Sequence, residues 1–235
     1  MVNAAMALEP FIMPSAHRHL GLTNESVDEH WVISTRAVDL ADIYRDTINI
    51  AIWQQAPDAE LVLALAHLDA ARPDFQINTV FDSAQARAQL QQRLPDFSGK
   101  DRLLEALSQA IDLFSYLFDQ KQVGFRFNRL DKAMCPRFHV DNIPVRLVQT
   151  LGGPGTEWLP EFTLDRSKLG RGSLGRPDHA SGVYQSADAI RYLQAGDIAL
   201  LKGCGWEGNE ERGLVHRSPS VPVGESRWFL SLDLA

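Results

Sequence analysis

At residue 122 the hydrophobic period of the chain changes, and this constrains its fold more than any other feature. Before that point, Leu103, Leu107, Ile111, Phe114 and Leu117 form one continuous stripe at helical spacing. After it, Val123, Phe125 and Phe127 alternate with polar or small residues, the period of a strand. A long apolar stripe has to pack on a sheet or on another helix. The two halves are therefore expected to meet, helices on one side and strands on the other.

The first half reads as follows. Residues 1–30 are irregular, with Pro10, Pro14 and scattered charge, and they hold His17, His19 and His30. Residues 47–53 are β-branched and alternating, which predicts a strand. Pro57-Asp58 then opens a helix with Leu61, Ala64, Leu65 and Leu68 on one face. A second strand is expected over 75–81. Asp82 or Ser83 caps a helix carrying Ala86, Leu90 and Leu94, which Pro95 ends. Ser98 and Asp101 have the spacing of a capping box before the long helix. His67 is read as structural.

The second half is short strands between Gly/Pro turns. Strands are expected over 143–151, 198–201, 214–217 and 227–234, with a strong turn at Gly152-Gly153-Pro154-Gly155. Residues 187–194 read as a short helix. Residues 165–182 form a loop holding Arg166, Lys168, Arg171 and Arg176, either a solvated basic loop or a mobile lid. Together these readings predict one α+β domain: an arm at 1–30, mainly helical support over 31–121, and a β-sandwich or small barrel over 122–235.

Chemistry concentrates at Arg137-Phe138-His139-Val140-Asp141-Asn142. Alternate residues of a strand share a face, so His139 and Asp141 can converge. His216, in Leu214-Val215-His216-Arg217-Ser218-Pro219, is the best-placed third ligand. Two imidazoles and one carboxylate suit non-haem Fe(II) with open positions for a co-substrate and O2. Cys135 and Cys204 offer a competing thiolate and imidazole set that favours zinc, although neither lies in a close Cys-x-x-Cys pair. Arg146, on the strand after the ligand pair, can face the same cavity and steer an acidic co-substrate. Arg137 and Asn142 flank the ligands as orienting partners. Arg217 should point away from the metal. Trp158 and Trp206 read as packing or as walls of the site, and Thr156-Glu157 bears on substrate or on a loop hydrogen bond.

Gly196-Asp197 opens a short apolar strand, His216 follows a Gly-rich turn, and Arg227 lies eleven residues later at the start of the closing strand. With His139-x-Asp141, this C-terminal half resembles the Fe(II)/2-oxoglutarate-dependent oxygenase superfamily. The resemblance implies a double-stranded β-helix, a jelly-roll or cupin-like core, buttressed here by N-terminal helices. It implies His139, Asp141 and His216 as iron ligands, and Arg227 as the partner of the distal carboxylate of 2-oxoglutarate. The implied activity is a dioxygenase that hydroxylates or otherwise oxidises an unidentified substrate. The whole chain, through Met134-Cys135-Pro136-Arg137-Phe138-His139-Val140-Asp141 and His216-Arg217-Ser218-Pro219, also resembles a bacterial family of unassigned function.

Two further readings stand beside that one: a zinc- or metal-binding sensor that does not turn over, and a relative in fold alone. A net charge of −7 argues against general binding to nucleic acid or to an anionic membrane. The basic loop hints at an anionic or macromolecular partner. Two cysteines make no disulfide framework, no uninterrupted membrane span occurs, and residues 1–10 lack the look of a signal peptide, so a cytoplasmic location is expected.

Overall fold

A computed structural model describes residues 30–235. His17 and His19, with most of the expected arm, lie outside the described residues.

Three helices carry the apolar stripes expected of them: α1 (Ala59–Ala71), α2 (Ala86–Arg93) and α3 (Lys100–Phe118). The Asp58 carboxylate caps α1 by accepting from Leu61 N at 2.9 Å. The capping box expected at α3 does not form. Its N-cap is Gly99, at φ +88°, with no side-chain hydrogen bond. The chain there presses on α1, where a Cβ on Gly99 would lie 2.7 Å from Ala64 Cβ. Packing holds α3 instead. Leu103, Leu107, Ile111 and Phe114 are fully buried, each contributing about 1.5–3 kcal/mol against about 1 kcal/mol for a cap.

Among the described residues, ten strands form two sheets. The larger is ordered β1-β2-β8-β5-β10-β4-β3 and the smaller β7-β6-β9. In chain order they are β1 (Trp31–Ser34), β2 (Ile50–Trp53), β3 (Gln76–Asp82), β4 (Gln122–Leu130), β5 (Val145–Gly152), β6 (Glu157–Trp158), β7 (Arg191–Tyr192), β8 (Ile198–Lys202), β9 (His216–Arg217) and β10 (Arg227–Leu234). All pairings are antiparallel except β1 with β2. The first half is thus not only helical, since β1, β2 and β3 extend both edges of the large sheet. The helix expected over 187–194 is one 3-10 turn, Ala187–Ala189, followed by β7. β7 is bound instead by β6, with Glu157 opposite Tyr192 and Trp158 opposite Arg191.

Alternation sorts the large sheet into two faces. Val145, Leu147, Leu200, Leu230 and Leu232 pack under α1, α2 and α3. Val148, Ala199, Leu201 and Phe229 face the other way, onto Trp158, Leu193 and Leu214. From β4 onward the chain passes between the sheets: β4 in the large one, His139 bridged to the small one, β5 large, β6 and β7 small, β8 large, β9 small, β10 large. That winding is a double-stranded β-helix, a jelly roll with helices on its outer face. The protein is α+β, as expected.

Candidate metal centre

His139 is not in a regular strand. It forms an isolated bridge with His216, each backbone N donating to the other's carbonyl oxygen at 3.0 Å. Asp141 follows in irregular chain, where its carbonyl accepts from Cys204 N at 2.9 Å. The pairing still brings the three side chains together. One ligand atom from each of His139, Asp141 and His216 lies within 4.8 Å of the others. His139 Nε2 is 3.7 Å from Asp141 Oδ1, and His216 Nε2 is 3.6 Å from Asp141 Oδ2. These gaps are too long for hydrogen bonds. Two bonds of about 2.1 Å to a shared ion can span them.

The second nitrogen of each ring orients it. His139 Nδ1 lies 2.9 Å from Arg137 O, and His216 Nδ1 lies 3.2 Å from Leu214 O. A carbonyl only accepts, so in the neutral rings both Nδ1 carry the proton and both Nε2 lone pairs face Asp141. Burial pushes His216 down to about 4, with His139 and Arg146 adding to the fall and Asp141 opposing it. It is neutral at pH 7 and free to ligate. Asp141 Oδ2 is buried and makes no hydrogen bond, and its near neighbours are the Arg146 guanidinium and His216 Nε2. The donor set therefore fits a divalent transition metal.

Arg146 does face this space, but its charge is already occupied. Nη1 stands 2.8 Å from Asp141 Oδ2, an ion pair without hydrogen-bond geometry. Nε donates to Asp233 Oδ1 at 2.7 Å, and Arg126 pairs with the same carboxylate. Burial works against the Arg146 charge, but Asp233 and Asp141 outweigh it and raise its pKa. Arg146 is thus paired with the candidate ligand carboxylate and with Asp233.

Arg227 is the opposite case. It is 1% exposed, and its Nη2 donates to Thr150 Oγ1 at 3.0 Å and Thr156 Oγ1 at 2.8 Å. Nε and Nη1 are buried with no partner. Its guanidinium lies 4.1 Å from the Phe229 ring centroid, and burial alone lowers its pKa to about 10. Thr156 and Phe229 also line a cavity of about 50 Å3 beside His139 and His216. A buried guanidinium with two unpartnered nitrogens has the chemistry to pair with a carboxylate.

Asp178, which no sequence signal singles out, ties these parts together. Its Oδ2 accepts from Phe138 N and Arg217 Nη1, both at 2.9 Å, and its Oδ1 from Arg137 Nε at 2.9 Å. One carboxylate thereby grips the residues next to both histidines. Arg217 pairs with Asp178 and Glu157 and also lines the small cavity beside His139 and His216. The loop around Asp178 is not loosely solvated: Arg166 grips Glu161 through two bonds and donates to Gly213 O at 2.9 Å. Arg137 orients His139 through its carbonyl, while its side chain serves Asp178. Thr150 and Asp233 also escape sequence reading, because their partners are more than seventy residues away.

The remaining candidates are placed as follows. Asn142 Oδ1 accepts from Cys204 Sγ at 3.1 Å. Cys135 is exposed and lines the small cavity, yet neither cysteine belongs to the metal-capable group found among the described residues. A thiolate-containing zinc set is not assembled. Trp206 packs against Tyr44 and Phe118, and Trp158 is buried against Trp31, so both are packing residues. His67 is exposed, with Nδ1 2.9 Å from Ser98 O, and His179 is exposed in its loop. His30 is buried and its Nε2 accepts from Glu161 N at 3.1 Å.

The family described as "Protein of unknown function (DUF1826)" matches residues 34–233. No curated protein matches the chain. Among solved structures, the chain is similar to the dioxygenase for auxin oxidation in rice, at 17% identity over 88% of this chain and 83% of that one, with a TM-score of 0.49. It is also similar to the dioxygenase for auxin oxidation 1 from Arabidopsis thaliana in its 2-oxoglutarate complex, at 11% identity, 87% and 91% coverage and a TM-score of 0.47. A Pseudomonas putida prolyl-4-hydroxylase matches at 14% identity, 85% and 98% coverage and a TM-score of 0.43.

Proposed function

The chain belongs to the family described as a protein of unknown function (DUF1826), and for it we propose an Fe(II)/2-oxoglutarate-dependent dioxygenase activity on a small-molecule or macromolecular substrate. One observation carries this reading. A three-ligand cluster of two histidines and an aspartate stands beside a buried arginine that no carboxylate neutralises. A simple metal store or sensor would need the cluster but not the arginine.

Fe(II) held by His139, Asp141 and His216 would supply O2 activation coupled to oxidative decarboxylation of a 2-oxo acid. The chain's own residues do the rest. Arg137 O and Leu214 O fix the two histidine tautomers. Arg146 balances the Asp141 charge and Asp233 holds Arg146. Arg227 takes the far carboxylate of the co-substrate through Nε and Nη1, while Thr150 and Thr156 keep its plane fixed. Val148 and Phe229 present apolar surface to the cavity and keep water from it.

That cavity, about 50 Å3, is smaller than a five-carbon diacid. Its outer wall is Met134 and Cys135, both exposed on the bends between β4 and His139. A co-substrate would enter past these two exposed residues. Exposed Arg171 and Arg176 on the neighbouring loop favour a substrate with negative charge.

The test is calorimetric titration of 2-oxoglutarate into protein loaded anaerobically with Fe(II). Wild type should bind it stoichiometrically, and Arg227→Met should lose at least about a hundredfold in affinity while keeping its metal, the scale of a lost buried charge pair. Equal binding by both proteins would overturn the assignment of Arg227. No binding by either would overturn the dioxygenase reading.

A further inference from the structure

A guanidinium on the wall of the metal centre keeps one nitrogen unused. Arg217 follows His216 on β9 and lines the small cavity together with His139, Arg146 and Cys135. Its Nε donates to Glu157 and its Nη1 to Asp178. Its guanidinium carbon lies 4.3 Å from the Phe138 ring centroid. Nη2 makes no hydrogen bond. Unlike the sealed Nε and Nη1 of Arg227, it is open to solvent, in a side chain that is 20% exposed.

Two carboxylates and an aromatic ring fix the plane of this side chain. The N–H groups of Nη2 are therefore held in direction before anything binds them, and an acceptor that meets them pays little ordering entropy. Ser218 N donates to Cys135 O at 2.9 Å, which ties the residue after Arg217 to the exposed wall of the cavity.

Local charge narrows the acceptor. Arg217 and Arg137 are matched by Asp178 and Glu157. A carboxylate from outside would be a third acid around two arginines, whereas a neutral carbonyl oxygen meets no such repulsion. Negative charge elsewhere in a substrate belongs further out, at exposed Arg176, whose own carbonyl accepts from Arg137 Nη2.

We propose that Arg217 Nη2 holds a neutral carbonyl oxygen of the primary substrate, that of an amide or a ketone, and so orients the substrate at the metal centre. The substrate role rests on the dioxygenase reading. The donor does not.

Cys135 is exposed and lines the same cavity, so thiol probes can be tethered there in metal-free, full-length protein. The probes are N-acetylcysteamine, 1-pentanethiol as a chain of similar length without the carbonyl, and 3-mercaptopropionate as a carboxylate. Each is equilibrated as its disulfide against 2-mercaptoethanol, and the adduct at Cys135 is quantified by peptide mass spectrometry. In wild type the acetamide adduct should outlast both others by about tenfold, the worth of one hydrogen bond to a charged group. Arg217→Met and Arg217→Lys should lose that preference. Arg137→Met, which takes the other arginine from Asp178, should keep it. The proposal is overturned if the pentyl or carboxylate adduct is retained as well as the acetamide in wild type, or if no adduct forms at Cys135. It is also overturned if the preference survives in the Arg217 variants or is lost equally in Arg137→Met. Neither metal nor 2-oxoglutarate is present, so this result and the co-substrate titration succeed or fail independently.

Discussion

Arg146 Nη1 lies 2.8 Å from Asp141 Oδ2, the same oxygen that stands 3.6 Å from His216 Nε2. A fixed cation and a candidate metal site thus share one buried carboxylate. In the metal-free protein, Arg146 is what makes the Asp141 charge tolerable.

Replacing it with methionine, Arg146→Met, leaves Asp141 without a countercharge and Asp233 with Arg126 alone. The metal-free variant should lose about 3 kcal/mol of stability, the cost of breaking a buried pair. Added divalent metal should then raise its melting temperature by more than it raises that of wild type. Thermal melts with and without Mn(II) check this, and a smaller metal response in the variant would contradict it.

Arg227 leads to the opposite expectation. Its guanidinium is buried with two unpartnered nitrogens, so Arg227→Met should hold or gain about 1 kcal/mol in the absence of co-substrate. The same variant should lose all stabilisation by 2-oxoglutarate. Urea denaturation of the metal-loaded proteins, with and without 2-oxoglutarate, reads both effects. A large loss of stability in the variant would make Arg227 a structural residue.

Asp178 is 6% exposed and holds Arg137, Arg217 and Phe138 N together. Arg137 is 44% exposed and can rehydrate, so Asp178→Ala should cost about 2 kcal/mol, less than a fully buried pair would. Metal affinity should fall about 10–100-fold, because Phe138 precedes one ligand and Arg217 follows the other. Denaturation and metal titration of the same variant separate the two effects.

Lys202 supplies a pH test away from the site. Burial, with Arg212 nearby, lowers it to about 8, against weak opposition from Asp46. Its Nζ donates to Arg45 O at 3.0 Å and lies over Trp206. The folded pKa lies below the unfolded one, so between about 8 and 10.5 the unfolded chain binds more protons and stability rises with pH. Lys202→Met should therefore be more stable than wild type by about 1 kcal/mol at pH 7, after allowing for the lost hydrogen bond. That advantage should vanish near pH 10. Urea melts of both proteins across this range measure it.

Elements with long, regular periods were legible in the sequence: α3, β4, β8 and β10 all lie where their spacing puts them. β6 and β7 have two residues each, too few to carry a period, and they exist because neighbouring strands pair with them. The capping-box spacing at Ser98 and Asp101 misled because close approach to Ala64 demands a glycine at the helix start. Residue chemistry, the two-residue spacing of His139 and Asp141 and the context of His216 made the three ligand candidates legible, and the fold brings them together. The partners that tune them were hidden. Asp233 lies 87 residues from Arg146, and Asp178 lies 39 from Arg217. Only the winding of the two sheets makes them neighbours.

The most direct measurement is anaerobic titration of metal-free protein with Fe(II) and then 2-oxoglutarate, followed by visible absorption. The account predicts a charge-transfer band that appears only when both are present and is absent in His216→Ala. If no band forms in wild type while zinc binds tightly, the three residues hold a metal for another purpose and the dioxygenase assignment is wrong.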